Sequence, residues 1–138
     1  MIDRSLADRC AAEIDELHAF FELWFGGELP ETRAELARFA DVLADDFRMI
    51  QPSGLTRTRE GITTDVFDAH AAHDDVRIET STFEPRHVGT ETCLGTYEEW
   101  QTIAGDRTGR VSTVLFRQAP GTPNGVEWVH LHETWLDG

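Results

Sequence analysis

Glutamate and histidine side chains in the second half of the chain are the strongest candidates for chemistry. Glu98 and Glu99 are adjacent in a run rich in β-forming residues, and His130, His132 and Glu133 lie near the end of the sequence. A carboxylate buried in an apolar pocket has a raised pKa and can act as a general acid or base. Two histidines two residues apart on a strand point to the same face, where they could hold a metal ion if a carboxylate joined them.

Strand alternation and residue spacing limit both ideas. Because side chains alternate along a strand, either Glu98 or Glu99 must face inward. Few residues follow His132 in the sequence, so the histidine pair lacks a further ligand and no metal is expected. Buried charges are usually paired, so Glu98 or Glu133 could instead form a structural salt bridge with Arg48 or Arg117.

The elements that position these residues follow from hydrophobic period and capping signals. Apolar residues at three- and four-residue spacing predict helices that start after Ser5, Thr32 and Thr58, the second extending to Leu43. A short strand at 47–51 precedes the third helix. From Val76 the period becomes two, which predicts strands over residues 76–83, 91–103, 110–118 and 126–136, with a turn over 105–109. Helices first and sheet last predict one α+β domain, 1–138.

Composition excludes several classes of partner. The chain has 26 acidic and 12 basic residues, a formal net charge of -14, and every basic residue is arginine. A surface this negative repels nucleic acid and anionic membranes. The two cysteines lack metal-site spacing, and no apolar run is long enough for a signal peptide or membrane span. We expect a cytoplasmic protein without a cofactor, and hypothesise that the acidity reflects a high-salt environment.

Both faces of the predicted sheet are apolar. Regular alternation in the last strand gives one face Val129, Leu131 and Trp135, and gives the other Trp128 together with both histidines. Three helices can cover only one face of a sheet, so the other face needs a partner. The sequence therefore predicts a homodimer through the open sheet face.

Two segments resemble a known superfamily. The segment 43–54, followed by 58–61, resembles the helix-to-strand region of the nuclear-transport-factor-2-like (SnoaL-like) superfamily. The ending 129–134 is similar to that of its uncharacterised branch and of the association domain of calcium/calmodulin-dependent protein kinase type II. This resemblance implies a cone-shaped fold, dimerisation on the open sheet face, and a pocket between helices and sheet that Glu133 lines. It also turns His130 and His132 toward the dimer face.

The superfamily contains ketosteroid isomerase, but the resemblance also implies that this chemistry is absent. The position of the isomerase's general-base aspartate is Gln51 here, and that of its oxyanion tyrosine is near Phe20. The second oxyanion acid falls near Thr113 or Val114. Enolisation needs a carboxylate base and acidic hydrogen-bond donors, which these residues do not supply.

The function predicted is therefore a pocket that binds a small organic molecule. A cofactor-free isomerase, dehydratase or hydrolase would use Glu133 and Glu98, with the two histidines in reserve; the alternative is a non-catalytic dimeric binding or assembly module. Aromatic side chains such as Trp24 could stack on a ligand or belong to the core. The predicted pocket lining is Phe20, Trp24, Arg48, Gln51, Trp100, Thr113, Leu115, Arg117, Leu131 and Trp135.

Overall fold

Three helices begin at the capping residues that the sequence predicts. The computed structural model describes residues 4–136, and its helices are α1 (Leu6–Phe25), α2 (Arg33–Ala40) and α3 (Arg59–Asp68). The hydroxyls of Ser5, Thr32 and Thr58 accept hydrogen bonds from the backbone N–H groups three residues later, which satisfies donors that a helix start leaves free. The second helix ends earlier than predicted, because Leu43 already belongs to a strand. No helix in residues 4–136 is long and apolar enough to span a membrane.

Seven strands of the described residues form one sheet. They are β1 (Leu43–Ile50), β2 (Thr56–Thr58), β3 (Arg77–Thr80), β4 (Glu84–Val88), β5 (Thr92–Ile103), β6 (Asp106–Gln118) and β7 (Val126–Leu136). Their order is β2-β1-β7-β6-β5-β3, and β4 also pairs with β5. Only the β1–β7 pair is parallel among these strands. The predicted α+β class, three helices packed on a mostly antiparallel sheet, is confirmed.

The sheet contains more strands than the sequence predicts. The predicted strand 76–83 ends at Thr80, and β4 follows as a separate strand. Both pair with β5, β3 with its C-terminal half and β4 with its N-terminal half. The β5–β6 turn is tighter than predicted, with Ala104 and Gly105 at φ 52° and 84°. A two-residue turn with positive φ at both positions matches the twist of the strands it joins, and β6 therefore begins at Asp106.

A bulge in β7 changes which side chains face the helices. Phe116 of β6 is opposite Trp128, but the preceding Leu115 is opposite His130, so Val129 is an extra residue without a partner. Such a residue breaks the regular alternation of side chains. The prediction that Trp128 shares a face with His130 is therefore wrong, since Trp128 turns inward.

The inner face of the sheet carries the core. Beyond the bulge, Leu131 and Glu133 lie on the same inner face as Trp128. The helices pack against this face, and the opposite face of the central strands is left without a helix. The buried inner side chains of the neighbouring strands β5 and β6 are Cys93, Tyr97, Glu99, Ser112, Val114 and Phe116.

Candidate functional site

A cavity of about 140 Å³ lies between the three helices and the inner face of the sheet. Most of its wall is apolar, because α1, α2, α3 and β1 each contribute aromatic or aliphatic side chains such as Phe21, Phe39 and Met49. The helices thus partly shield the cavity from bulk solvent, and electrostatic interactions inside it are stronger than in water. The polar wall consists of His18, Tyr97, Glu99, Gln101, Arg110 and Glu133.

A buried ion pair joins α1 to β5 in this wall. His18 donates through Nε2 to Glu99 Oε1 at 3.0 Å and through Nδ1 to the Ile14 carbonyl at 2.7 Å. Both partners can only accept, so both ring nitrogens carry protons and the imidazole is charged. Burial opposes this charge, but the Glu99 carboxylate raises the pKa of His18 above 6.5. In turn, burial would raise the pKa of Glu99, and the charge on His18 outweighs it, lowering that pKa to about 2.

The second buried carboxylate, Glu133, has the opposite tendency. Its side chain accepts hydrogen bonds from Ser112 Oγ at 3.2 Å and from Arg110 Nη1 at 3.3 Å. Burial, followed by the negative charge of Glu99, raises the pKa of Glu133, and the arginine and serine offset only part of that rise. The wall therefore contains one carboxyl group held ionised and another that gains a proton more readily.

Among the described residues, two side-chain atoms of the wall lack a hydrogen-bond partner, the hydroxyl oxygen of Tyr97 and Nε of Arg110. Tyr97 is 2% exposed, and its oxygen has no hydrogen-bond partner within residues 4–136. Burial and the neighbouring carboxylates raise the pKa of Tyr97 well above 10, so the phenol keeps its proton. Ser112 is opposite on β6 and near enough to oppose this rise, but its hydroxyl does not reach hydrogen-bonding geometry with the phenol.

Two of the predicted site residues, Leu131 and Glu133, line the cavity. Glu98 does not, and the assignment is corrected to its neighbour: β5 turns Glu99 inward, while Glu98 lies on the other face and accepts a hydrogen bond from the Trp100 indole. Because β6 turns its even-numbered residues 112–116 inward, the odd-numbered ones cannot line the cavity. The predicted residues on the outer face of the central strands are Trp100, Thr113, Leu115, Arg117, His130 and His132.

The other predicted lining residues also lie outside the cavity. Trp24 and Phe20 stack on each other in the core, on a different side of α1 from His18. Arg48 donates to the Phe47 carbonyl, and Gln51 follows the end of β1. Alternation along β7 places Trp135 on the inner face, but it lies at the end of the strand and is 52% exposed. The guanidinium carbon of Arg110 lies 4.7 Å from the centroid of its ring.

Sequence reasoning missed five polar residues of the wall, namely His18, Tyr97, Glu99, Gln101 and Arg110. His18 follows Leu17 in the apolar stripe of α1, a position that could have been predicted to face the sheet. Tyr97 and Glu99 share one face of β5, but only the pairing with β6 decides which face is inward. Arg110 was predicted as a strand residue without a role. Among residues 4–136, no group of three or more histidine, cysteine or acidic side chains could hold a metal ion.

Solved structures share this fold. An NTF2-like protein of unknown function from Pseudomonas aeruginosa superposes with a TM-score of 0.84 at 23% identity, covering 94% of this chain and 99% of the other. The CaMKII hub of S. rosetta superposes with a TM-score of 0.75 at 12% identity, covering 98% and 100% of the two chains. These structures confirm the fold that the resemblance implies, which NTF2-like and association-domain proteins share.

Sequence comparison identifies more specific relatives. Sucrose-phosphatase 2 of Nicotiana tabacum is 28% identical over 131 residues, which is 93% of this chain but 31% of that protein. The chain thus spans about a third of the length of this relative. A family model described as sucrose-6-phosphate phosphohydrolase C-terminal matches residues 10–137, nearly the whole chain. The chain belongs to the sucrose-6-phosphate phosphohydrolase C-terminal family.

Proposed function

We propose that the chain binds a small organic molecule in the cavity between its helices and sheet. The observation that carries this proposal is a partly open, mainly apolar cavity with a short polar wall at His18, Tyr97, Glu99 and Glu133. Ligand sites have this character, since apolar walls supply affinity and a few polar groups fix orientation. An engineered cavity of about 150 Å³ is known to bind benzene, so a cavity of about 140 Å³ suits a molecule with one six-membered ring.

The energetic cost of an open cavity favours a ligand-binding site over a packing defect in the core. Side chains that line unfilled volume lose packing contacts, which lowers the stability of the fold. Such a cost is tolerated where function requires the space. Burial of Glu99 and Glu133 also lowers stability, because well-packed apolar residues at these positions would stabilise the fold more.

The cavity does not suit the sugar that appears in the names of the relatives. Sucrose has two rings with hydroxyl groups on most carbons, so a site for it needs many polar partners. The wall is instead mostly aromatic and aliphatic, and its polar groups largely bond to one another. We therefore propose a smaller and less polar ligand for this domain.

A pair of filling variants tests binding. Leu131→Phe adds volume on the inner face of β7, whereas Leu115→Phe adds it on the outer face of the neighbouring strand. In a thermal-shift screen of small aromatic compounds, cyclic ketones and lactones, we expect a ligand to raise the melting temperature of wild type and Leu115→Phe but not of Leu131→Phe. The proposal is wrong if no compound shifts wild type, or if Leu131→Phe responds equally.

Acid–base catalysis is a second candidate, favoured by the opposite pKa shifts of the two carboxyl groups. When neighbouring environments push two pKa values apart, one group is suited to donate a proton and the other to remain charged. Here Glu133 would exchange protons with the ligand, and Glu99 would hold His18 in its charged form. Glu99 thus takes the position in the wall that the sequence assigned to Glu98.

Deuterium exchange tests this candidate without knowledge of a product. With cyclohexanone in heavy water, we expect exchange next to the carbonyl to exceed the buffer rate and to increase as pH rises through the raised pKa of Glu133. Glu133→Gln should return exchange to the buffer rate, while Glu98→Gln on the outer face should not. Exchange that survives Glu133→Gln, or never exceeds the buffer rate, contradicts catalysis by this residue.

We also propose a homodimer through the outer face of β5, β6 and β7. Leu94 is 36% exposed there, and Leu115 and His130 are half-buried without a covering helix. Solved structures of the same fold bear the names hub and association domain, which supports assembly as a role in its own right. We keep a cytoplasmic location, and the exclusion of nucleic acid and membrane partners, as predictions from sequence.

Sedimentation of surface variants tests the dimer. Thr113 lies in the centre of the outer face, between Thr96 and His132 on the flanking strands. At micromolar concentration we expect a species of twice 15.6 kDa for wild type and for the loop control Ser53→Arg, but a monomer for Thr113→Arg. A wild-type monomer would refute the proposal.

A further inference from the structure

We infer that the ligand of the cavity is neutral and carries one hydrogen-bond-accepting oxygen, of ketone, ester or lactone type, which the hydroxyl of Tyr97 binds. This inference rests on the proposed binding function and names the ligand class for the same cavity. It depends on which hydrogen bonds of the wall are already made and on how its charges are compensated.

The ion-pair side of the wall has its hydrogen bonds in place. Both nitrogens of His18 donate, one to the Ile14 carbonyl and one to Glu99 Oε1. The other oxygen of Glu99 accepts from the Gln101 amide. Ligand atoms therefore meet a pair that is already satisfied on this side.

Glu133 is also paired at both oxygens. Ser112 donates to one oxygen and Arg110 to the other. The serine has a single proton, so once it donates to Glu133 it has none to offer elsewhere. A ligand acceptor that needed the Ser112 proton would have to displace its bond to Glu133.

Two other residues that line the cavity are different: the Tyr97 hydroxyl and Arg110 Nε are buried donors without a partner in the part of the chain that the structure describes. A buried polar group without a partner carries a free-energy penalty, which a bound molecule can remove. The phenol keeps its proton between two carboxyl groups, as its raised pKa indicates, and so it is available as a donor. The complementary ligand atom is an acceptor.

Charge compensation favours a neutral molecule. The positive charge of His18 is paired with Glu99, and that of Arg110 faces Glu133 at 3.3 Å. An anionic ligand would compete with Glu133 for the arginine, and a cationic one would compete with His18 or Arg110 for a carboxylate. A buried charge without its partner is strongly unfavourable. A neutral ligand leaves both pairs intact.

The test compares three ring compounds on two proteins by calorimetric titration. Benzene probes the apolar walls alone, cyclohexanone adds a neutral acceptor, and benzoate adds a negative charge. The variant Tyr97→Phe removes only the hydroxyl, and since that group is buried and bonds no described residue, we expect the variant to fold with a melting temperature equal to or higher than that of wild type.

We expect cyclohexanone to bind wild type about tenfold more tightly than Tyr97→Phe, while benzene binds both equally and benzoate binds neither. Equal affinity of cyclohexanone for both proteins would overturn the inference, since the hydroxyl would then bond water rather than ligand, and the binding function would stand. Tighter binding of benzoate than of cyclohexanone would overturn it in favour of an anion at Arg110. If none of the three binds wild type, the inference and the binding function fail together.

Discussion

Two buried glutamates, Glu13 and Glu133, differ in how completely their neighbours satisfy them. Glu13 is fully buried and accepts hydrogen bonds from both terminal nitrogens of Arg38, from the Asn124 amide and from the Trp128 indole, all at 2.9 to 3.1 Å. We call these four residues the Glu13 cluster. Glu133 has two longer bonds, and a second carboxylate, Glu99, raises its pKa.

This contrast indicates that Glu13 is a structural carboxylate and that Glu133 belongs to the candidate site. Hydrogen bonds of the Glu13 cluster join α1 to α2, to the loop before β7 and to β7 itself. Trp128 belongs to this cluster and also lines the cavity. Its bonds leave no role for a ligand. The cavity side keeps an unpaired phenol and a carboxylate with a raised pKa, features that cluster at functional sites.

The largest effect should follow from breaking the Glu13 cluster. Glu13→Gln removes the charge that pairs with Arg38 and replaces an acceptor oxygen by an amide that meets donors. Removing one partner of a buried ion pair costs about 3–5 kcal/mol, and we expect Glu13→Gln to lower the free energy of unfolding by about 4 kcal/mol. Denaturant titration measures it.

The matched control for this prediction is one turn along the same helix. Glu16 also lies near Arg38, at 3.6 Å, but its side chain is 52% exposed. Glu16→Gln should therefore change stability by less than about 1 kcal/mol. Similar losses for the two variants would contradict the view that burial makes Glu13 structural.

Breaking the His18–Glu99 pair should cost less. Glu99→Gln removes the charge that keeps His18 protonated, but the imidazole can then release its proton instead of remaining as an unpaired buried charge. We expect a loss of about 2 kcal/mol near pH 6, measured by denaturant titration.

The pH dependence of that loss has a definite sign. The lowered pKa of Glu99 stabilises the folded state above about pH 4.5, and this contribution disappears as pH falls toward about 2. The raised pKa of His18 stabilises the folded state below about pH 6.5, and this contribution disappears as pH rises through the folded-state value. The difference between wild type and Glu99→Gln should thus be greatest between these limits. A difference that keeps growing above pH 8 would contradict the ion pair.

Glu133→Gln should have a smaller effect of the opposite sign. The raised pKa of Glu133 means that its ionised form destabilises the folded state, increasingly as pH rises from about 4.5 through the folded-state pKa. Replacement by a neutral amide should therefore stabilise the protein by about 1 kcal/mol at pH 8 and leave it unchanged near pH 4.5. Thermal unfolding at the two pH values measures this, with Glu98→Gln as the outer-face control. A loss of stability at pH 8 would make Glu133 structural, like Glu13.

The two regions also mark how far the sequence could predict this structure. The helices were predictable because capping hydroxyls and apolar spacing are local signals, as at Ser5 and Thr58. The Glu13 cluster was not, since Asn124 and Trp128 are more than a hundred residues from Glu13 in sequence. Its only local sign is a carboxylate next to Ile14 in the apolar stripe.

On the cavity side, alternation correctly required one inward glutamate but could not choose it. The choice depends on the pairing of β5 with β6, which decides that Glu99 and not Glu98 faces the helices. Likewise, alternation in β7 fails at the bulge, where Val129 is extra and Trp128 turns inward. A bulge is a property of two strands together, so one strand's sequence does not reveal it.

The smallest effect should come from salt, which separates the exposed charges from both buried clusters. With 26 acidic and 12 basic residues, the folded chain repels itself, and a Debye length of about 3 Å at 1 M salt screens that repulsion. Wild type should therefore unfold at a higher temperature in 1 M NaCl than in 0.1 M. Such a rise is the result that the high-salt hypothesis predicts. The loss caused by Glu13→Gln should change by less than about 0.5 kcal/mol between these conditions, because the Glu13 carboxylate is fully buried and buried pairs are screened much less than exposed ones. A midpoint that stays flat with salt would refute the high-salt hypothesis, and a Glu13 effect that salt removes would show that this cluster is not shielded from solvent.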